Sequence, residues 1–188
     1  MTICRTRVPV EISPFCVGMA ALCFAAGRAQ TICLGLGFAA LHELGHLGAM
    51  ALCGTRPAKI CLTAAGVRID RPVGLSLRFA HEIAIAAAGP AINLLLAGLF
   101  ALLRLWDCMY INLGFALLNL LPVRALDGGR MLYFGLCRRL EEAVAQRVVL
   151  VTSLVCLGGA AFVTAWSWLQ GTFLISWAAA VLYLVLCC

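Results

Sequence analysis

Apolar runs of bilayer-crossing length follow one another along nearly the whole chain, and few architectures other than a bundle of membrane spans can accommodate them. Six runs stand out, roughly 12–27, 31–54, 82–104, 108–123, 147–165 and 172–188. A helix needs about 20 apolar residues to cross the hydrocarbon core, and the fourth and sixth runs fall short of that. Of the 188 residues 64% are hydrophobic and only 12% are charged, against about 25% charged in ordinary soluble domains. The expected fold is all-α: a polytopic membrane protein of six transmembrane helices in a single domain, 1–188, with no sizeable soluble part. Arg5 and Arg7 precede the first run as in a signal peptide, but so many apolar runs follow that this one too reads as a span.

The net charge of +6 would suggest nucleic acid in a soluble chain. No basic patch interleaved with aromatics occurs, so a nucleic-acid partner is not expected. Topology accounts for the charge instead. With the N-terminus on side one, six spans put twelve Arg and Lys residues on that side and leave only Arg28 and Arg104 opposite. Positive charge gathers on the cytoplasmic face, which predicts both termini in the cytoplasm. The 11 cysteines form no CxxC pair and mostly lie inside apolar runs, where they read as small, reduced, buried side chains.

Between the second and third runs, "KICLTA" and "GVRID" flank an Ala-Gly turn and contain β-branched residues. They predict a small membrane-associated β-hairpin within 58–70. The fourth run ends in a stretch containing Pro122, Gly128 and Gly129, where the backbone is expected to leave helical form. Inside a membrane that is tolerated only against a polar cavity or within protein. The later half of "LDGGRMLYFGLCRRLEEAVAQR" reads as a helix with Arg138, Arg139, Glu141 and Glu142 facing water.

The second run carries "HELGH", residues 42–46, at its centre. Ionisable groups within a span are costly and mark functional sites. His42 and His46 are four apart, so on a helix both imidazoles share one face, about 6 Å apart along the axis. Two such histidines can hold one tetrahedral zinc, and Glu43 between them can act as general base on a water there, the HExxH arrangement. A catalytic zinc needs a third protein ligand and an open position. The other acidic residues sit at span ends or in polar loops. Asp127 follows an apolar run and precedes Gly128 and Gly129, which permit close backbone approach, so it is the candidate third ligand. The alternative for "LDGG" alone is a surface turn.

"HELGH" together with "NLLPVRALDGGR", residues 119–130, and "AGPAIN", residues 88–93, resembles the site-2 protease family of intramembrane zinc metalloproteases. The spacing is most similar to the stage IV sporulation protein FB branch. That branch carries a C-terminal nucleotide-sensing CBS domain, and these residues contain none, so nucleotide regulation is not among the expectations. The resemblance implies that His42, His46 and Asp127 bind Zn2+ and that Glu43 is the catalytic acid/base. It further implies a bacterial cell membrane location, regulatory membrane proteins as partners, and a membrane-associated protein substrate, such as a pro-sigma or anti-sigma factor.

Asn119 is a candidate catalytic residue, bonding the substrate backbone or the developing oxyanion; helix–helix bonding within the membrane is the equal alternative. Asn93 reads as a packing residue beside Gly89 and Pro90. His81 and Glu82 lack a second histidine at the right spacing and read as interfacial groups, and the four tryptophans read as interfacial anchors or packing. A membrane metal-binding or metal-transport protein is the alternative function. It predicts polar residues spread along the last two spans, which hold only mild groups such as Thr152 and Ser153.

Overall fold

The computed structural model describes residues 10–12, 29–55, 59–63, 66–70 and 78–170. The expected runs 12–27 (Ile12 apart) and 172–188 lie outside these residues.

Helix α1, Ala29–Leu52, is 24 residues long and carries the HELGH motif. It stops at Gly54, whose φ of 72° allows a glycine-type C-cap. There the Gly54 amide donates to Ala51 O at 3.1 Å and the Thr55 amide to Met50 O at 2.9 Å. Helix α2, Phe79–Leu102, runs 24 residues straight through Pro90. A three-residue connection leads to α3, Trp106–Asn119, of 14 residues. A non-helical loop follows, then α4, Asp127–Leu136, and the 28-residue α5, Glu142–Leu169.

Three short strands form one sheet in the order β1–β2–β3. Strand β2, Lys59–Thr63, pairs antiparallel with β3, Gly66–Asp70, with Lys59 opposite Asp70. Strand β1, Val10–Ile12, runs parallel along the other side of β2; no sequence signal pointed to it.

Two of the described helices are long and apolar enough to cross a membrane, Phe79–Leu102 with mean hydropathy 2.0 and Glu142–Leu169 with 2.2. The expectation of six such helices is not met among the described residues. Helix α1 has the length, but His42, Glu43 and His46 at its centre lower its hydropathy. Helix α3, Trp106–Asn119, covers only 12 residues (108–119) of the expected 108–123 span, because the chain leaves helical form at Leu120. The helix expected in the later half of 126–147 is found in part: α5 starts at Glu142, and Arg138, Arg139, Glu141 and Glu142 are all exposed. Helix α4 in the first half was not expected, and the chain breaks at Arg138 and Arg139 between the two.

Helices α1, α2 and α3 pack closely through small residues. Ala86 of α2 and Ala116 of α3 are fully buried, which lets backbones approach as they do in membrane bundles. Phe38 meets Phe100 at 5.4 Å between α1 and α2. Large apolar side chains such as Leu95, Val155 and Trp168 face outward, while the interior holds His42, His46, Asn93, Asn112, Asp127 and Ser153. This inside-out distribution suits a lipid surround, where polar groups must find partners within the protein.

Candidate metal centre

One helix delivers both histidines to one point. His42 and His46 lie one turn apart on the face of α1 that meets α2, and both are buried, at 5% and 6% exposure. The approach depends on absent side chains. A Cβ on Gly45 would lie 2.9 Å from Ala88 O, and one on Gly89 would lie 2.6 Å from His42 Nε2 and closer still to His46 Nε2. The backbone of α2 thus closes the site on one side.

Asp127 arrives from the first turn of α4. The two following glycines do not make a tight turn, since Gly54 is the sole glycine with positive φ among the described residues. Their role is close approach. A Cβ on Gly128 would collide with the carbonyl of Leu120, and one on Gly129 with that of Val123. The loop is in turn tied to α5. The Arg124 amide donates to Ser153 Oγ at 2.8 Å, and Thr152 Oγ1 donates to Pro122 O at 3.1 Å. The two polar residues that sequence reading set aside as mild groups therefore fasten the segment that carries Asp127.

The three side chains converge. His42 Nε2 is 3.0 Å and His46 Nε2 is 3.2 Å from Asp127 Oδ2, and the two Nε2 atoms are 3.1 Å apart. An imidazole nitrogen carries one hydrogen or one lone pair along a single direction, so three atoms in a near-equilateral triangle cannot all bond one another well. A common cation can satisfy them together. With zinc–nitrogen bonds of about 2.0–2.1 Å, a tetrahedral site has edges of roughly 3.3 Å, close to all three distances. The donor set also suits zinc, being two imidazoles and one carboxylate, all buried. His46 is prepared for that role: its Nδ1 donates to Ile85 O at 2.7 Å, which leaves Nε2 bare.

The structure thus brings together three of the five residues singled out in the sequence. Glu43 follows His42 directly on α1 and is half-buried. Asn119, the last residue of α3, is half-buried and donates its amide to Phe115 O at 3.0 Å; neither residue belongs to the triangle. One reading needs correction. Asn93 is not simply a packing residue, because its amide lies 3.3 Å from His42 Nδ1. Glu82, in the first turn of α2, is covered by protein at 7% exposure, while His81 beside it faces outward. The available signal for Asn93 was a fully polar amide one helical turn after Gly89, inside an apolar run.

Comparison with known proteins follows the same lines. No protein-family model matches the chain. It is 28% identical over 156 residues to stage IV sporulation protein FB of Bacillus subtilis (strain 168), a match covering 77% of this chain and 54% of that protein. The chain therefore spans about half the length of this curated relative. Its structure superposes on the site-2 protease from Methanocaldococcus jannaschii with a TM-score of 0.72, covering 97% of this chain and 89% of the other at 17% identity. The chain has the site-2 protease fold. A likeness of sequence and a likeness of fold, found separately, both support the site-2 protease family. Within that fold, the cluster of His42, His46 and Asp127 can hold a metal ion.

Proposed function

We propose that this chain is an intramembrane zinc metalloprotease that hydrolyses a peptide bond in or near a membrane segment of another protein. The observation that carries the reading is the triangle of two imidazole nitrogens and one carboxylate oxygen inside an apolar bundle. A buried set of this kind is costly without a function, and it leaves a tetrahedral ion one open position. Zinc bound there would bring the pKa of a coordinated water to about 7 and polarise the scissile carbonyl.

The chain's own residues supply the rest. Glu43 takes the proton of the attacking water and returns it to the leaving amine. Asn119 lies at the end of α3, eight residues before Asp127, and would turn its amide from Phe115 O to the substrate backbone or the developing oxyanion. The α2 backbone at Gly89 blocks one side, so substrate approaches from elsewhere. It must be extended, because a helix hides its carbonyls in hydrogen bonds. Strand β2 is flanked on both sides, so a substrate strand would add to the outer edge of β3.

The six-crossing plan with both termini cytoplasmic rests on the charge asymmetry, and the substrate proposed is a membrane-tethered regulator such as a pro-sigma or anti-sigma factor. Co-expression with candidate tethered substrates tests the activity. The unaltered chain should cut. Glu43→Gln should lower cleavage by about 10²–10⁴-fold, the usual contribution of a general acid/base, while the purified variant keeps its zinc. Undiminished cleavage by Glu43→Gln would overturn the mechanism.

A further inference from the structure

Helix α2 supports the two histidines through one stripe of residues spaced a helical turn apart. Ile85 supplies a carbonyl to Nδ1 of His46. Gly89, one turn on, leaves room for both imidazoles. Asn93, one turn further, faces Nδ1 of His42 at 3.3 Å and is fully buried. Each ring thus has one partner behind it, on the nitrogen that points away from the triangle.

The chemistry of the two partners must match. Nε2 of His42 faces Asp127 and Nε2 of His46. To bind a cation, that atom must be bare, so in the neutral ring the hydrogen sits on Nδ1. An N–H at that position needs an acceptor. The amide nitrogen of Asn93 would oppose it donor to donor, whereas the amide oxygen would accept. The two ends of an amide are nearly indistinguishable in shape, and their assignment follows from the bonds around them. The other end of the Asn93 amide has no hydrogen-bond partner among the described residues. Nothing else there fixes its orientation, and the ring decides it.

We infer that Asn93 is a positioning residue for His42: its amide oxygen accepts the Nδ1 hydrogen of that ring and keeps Nε2 bare and aimed at the metal. This rests on the zinc reading above. Asn93 does for His42 what the Ile85 carbonyl does for His46. A side chain must do it because, at the level of His42, an amide rather than a main-chain oxygen of α2 meets the ring.

The test uses the full chain, purified in detergent, with zinc alone as the probe. Zinc affinity is measured by competition with a chromophoric chelator for the unaltered chain, Asn93→Asp and Asn93→Leu. Asp keeps an acceptor at that position; Leu keeps the volume and removes it. Asn93→Leu should bind zinc 10- to 100-fold more weakly, the usual cost of losing such a partner, and Asn93→Asp should stay within a few-fold of the unaltered chain. Nitrogen-15 spectra of the three histidines, assigned with His81→Gln, should place the His42 proton on Nδ1 and the metal on Nε2. Unaltered zinc affinity in Asn93→Leu overturns the role of Asn93, and so does a proton on Nε2 of zinc-loaded His42. Should Asn93→Leu not fold, the tautomer in the unaltered chain decides alone. An unaltered chain that binds no zinc overturns the metal reading itself, which separates the two failures.

Discussion

A methyl group on Gly89 would fall 2.6 Å from His42 Nε2, whereas one on Gly98 in the same helix meets nothing within 4 Å. Gly89→Ala should therefore displace both imidazoles and abolish zinc binding, while Gly98→Ala leaves zinc content at the level of the unaltered chain; metal analysis of the two purified proteins checks this. Asp127→Ala should likewise release the metal, since two histidines alone hold zinc weakly. If Asp127→Ala retained a full equivalent, the carboxylate would not be a ligand. The histidines were legible in the sequence because a spacing of four places them on one helical face, and Asp127 because it was an isolated acid before two glycines. Asn93 was not legible. Its role depends on the register of α1 against α2, which no local pattern encodes, and beside Gly89 and Pro90 a small amide looks like packing. The burial of Glu82 was not legible for the same reason: a position near a span mouth says nothing about what covers it.

Helix α5 holds the loop before α4 by two side-chain hydrogen bonds, from the Arg124 amide to Ser153 and from Thr152 to Pro122 O. Such bonds between membrane helices contribute about 0.6 kcal/mol each. The pair Thr152→Val with Ser153→Ala should thus loosen Asp127 by about 1 kcal/mol, read as a several-fold faster loss of zinc to chelator with the helical content of the protein unchanged. The connection after α2 offers a change of opposite sign. Arg104 has φ 58° in the position that glycine favours at a helix end, so Arg104→Gly should stabilise the protein by about 1 kcal/mol against unfolding in mixed micelles. The sequence showed that the backbone would leave helical form after the fourth apolar run, since Pro122 lies there. It hid the start of α4, because two consecutive glycines disfavour a helix by about 1 kcal/mol each and read as a turn. Burial against the Leu120 and Val123 carbonyls outweighs that propensity. The second and third expected spans, 31–54 and 82–104, fall on α1 and α2 with ends shifted by two or three residues, because long apolar periodicity is the strongest local signal.

For the whole molecule, the uneven distribution of Arg and Lys predicts that a fluorescent reporter fused after Cys188 will fold in the cytoplasm, and that one fused after Arg28 will face the other side. The opposite outcome would reverse the proposed orientation, though not the chemistry. Chelation should remove activity and added zinc should restore it. Helix α3, of 14 residues, reaches about 21 Å at 1.5 Å per residue, roughly 9 Å less than the hydrocarbon thickness. Crossing as proposed, the chain would abandon its helix within the slab, on the side where Asp127 sits. A hydrolytic reaction consumes one solvent molecule per bond cut, and that reactant is scarce in oil. In the proposed membrane setting, the shortfall of α3 would leave room for a wet inlet from a single compartment, while α1 and α2, at 24 residues each, are long enough to seal the opposite leaflet. The protein would then be hydrated at its centre without becoming a leak for ions.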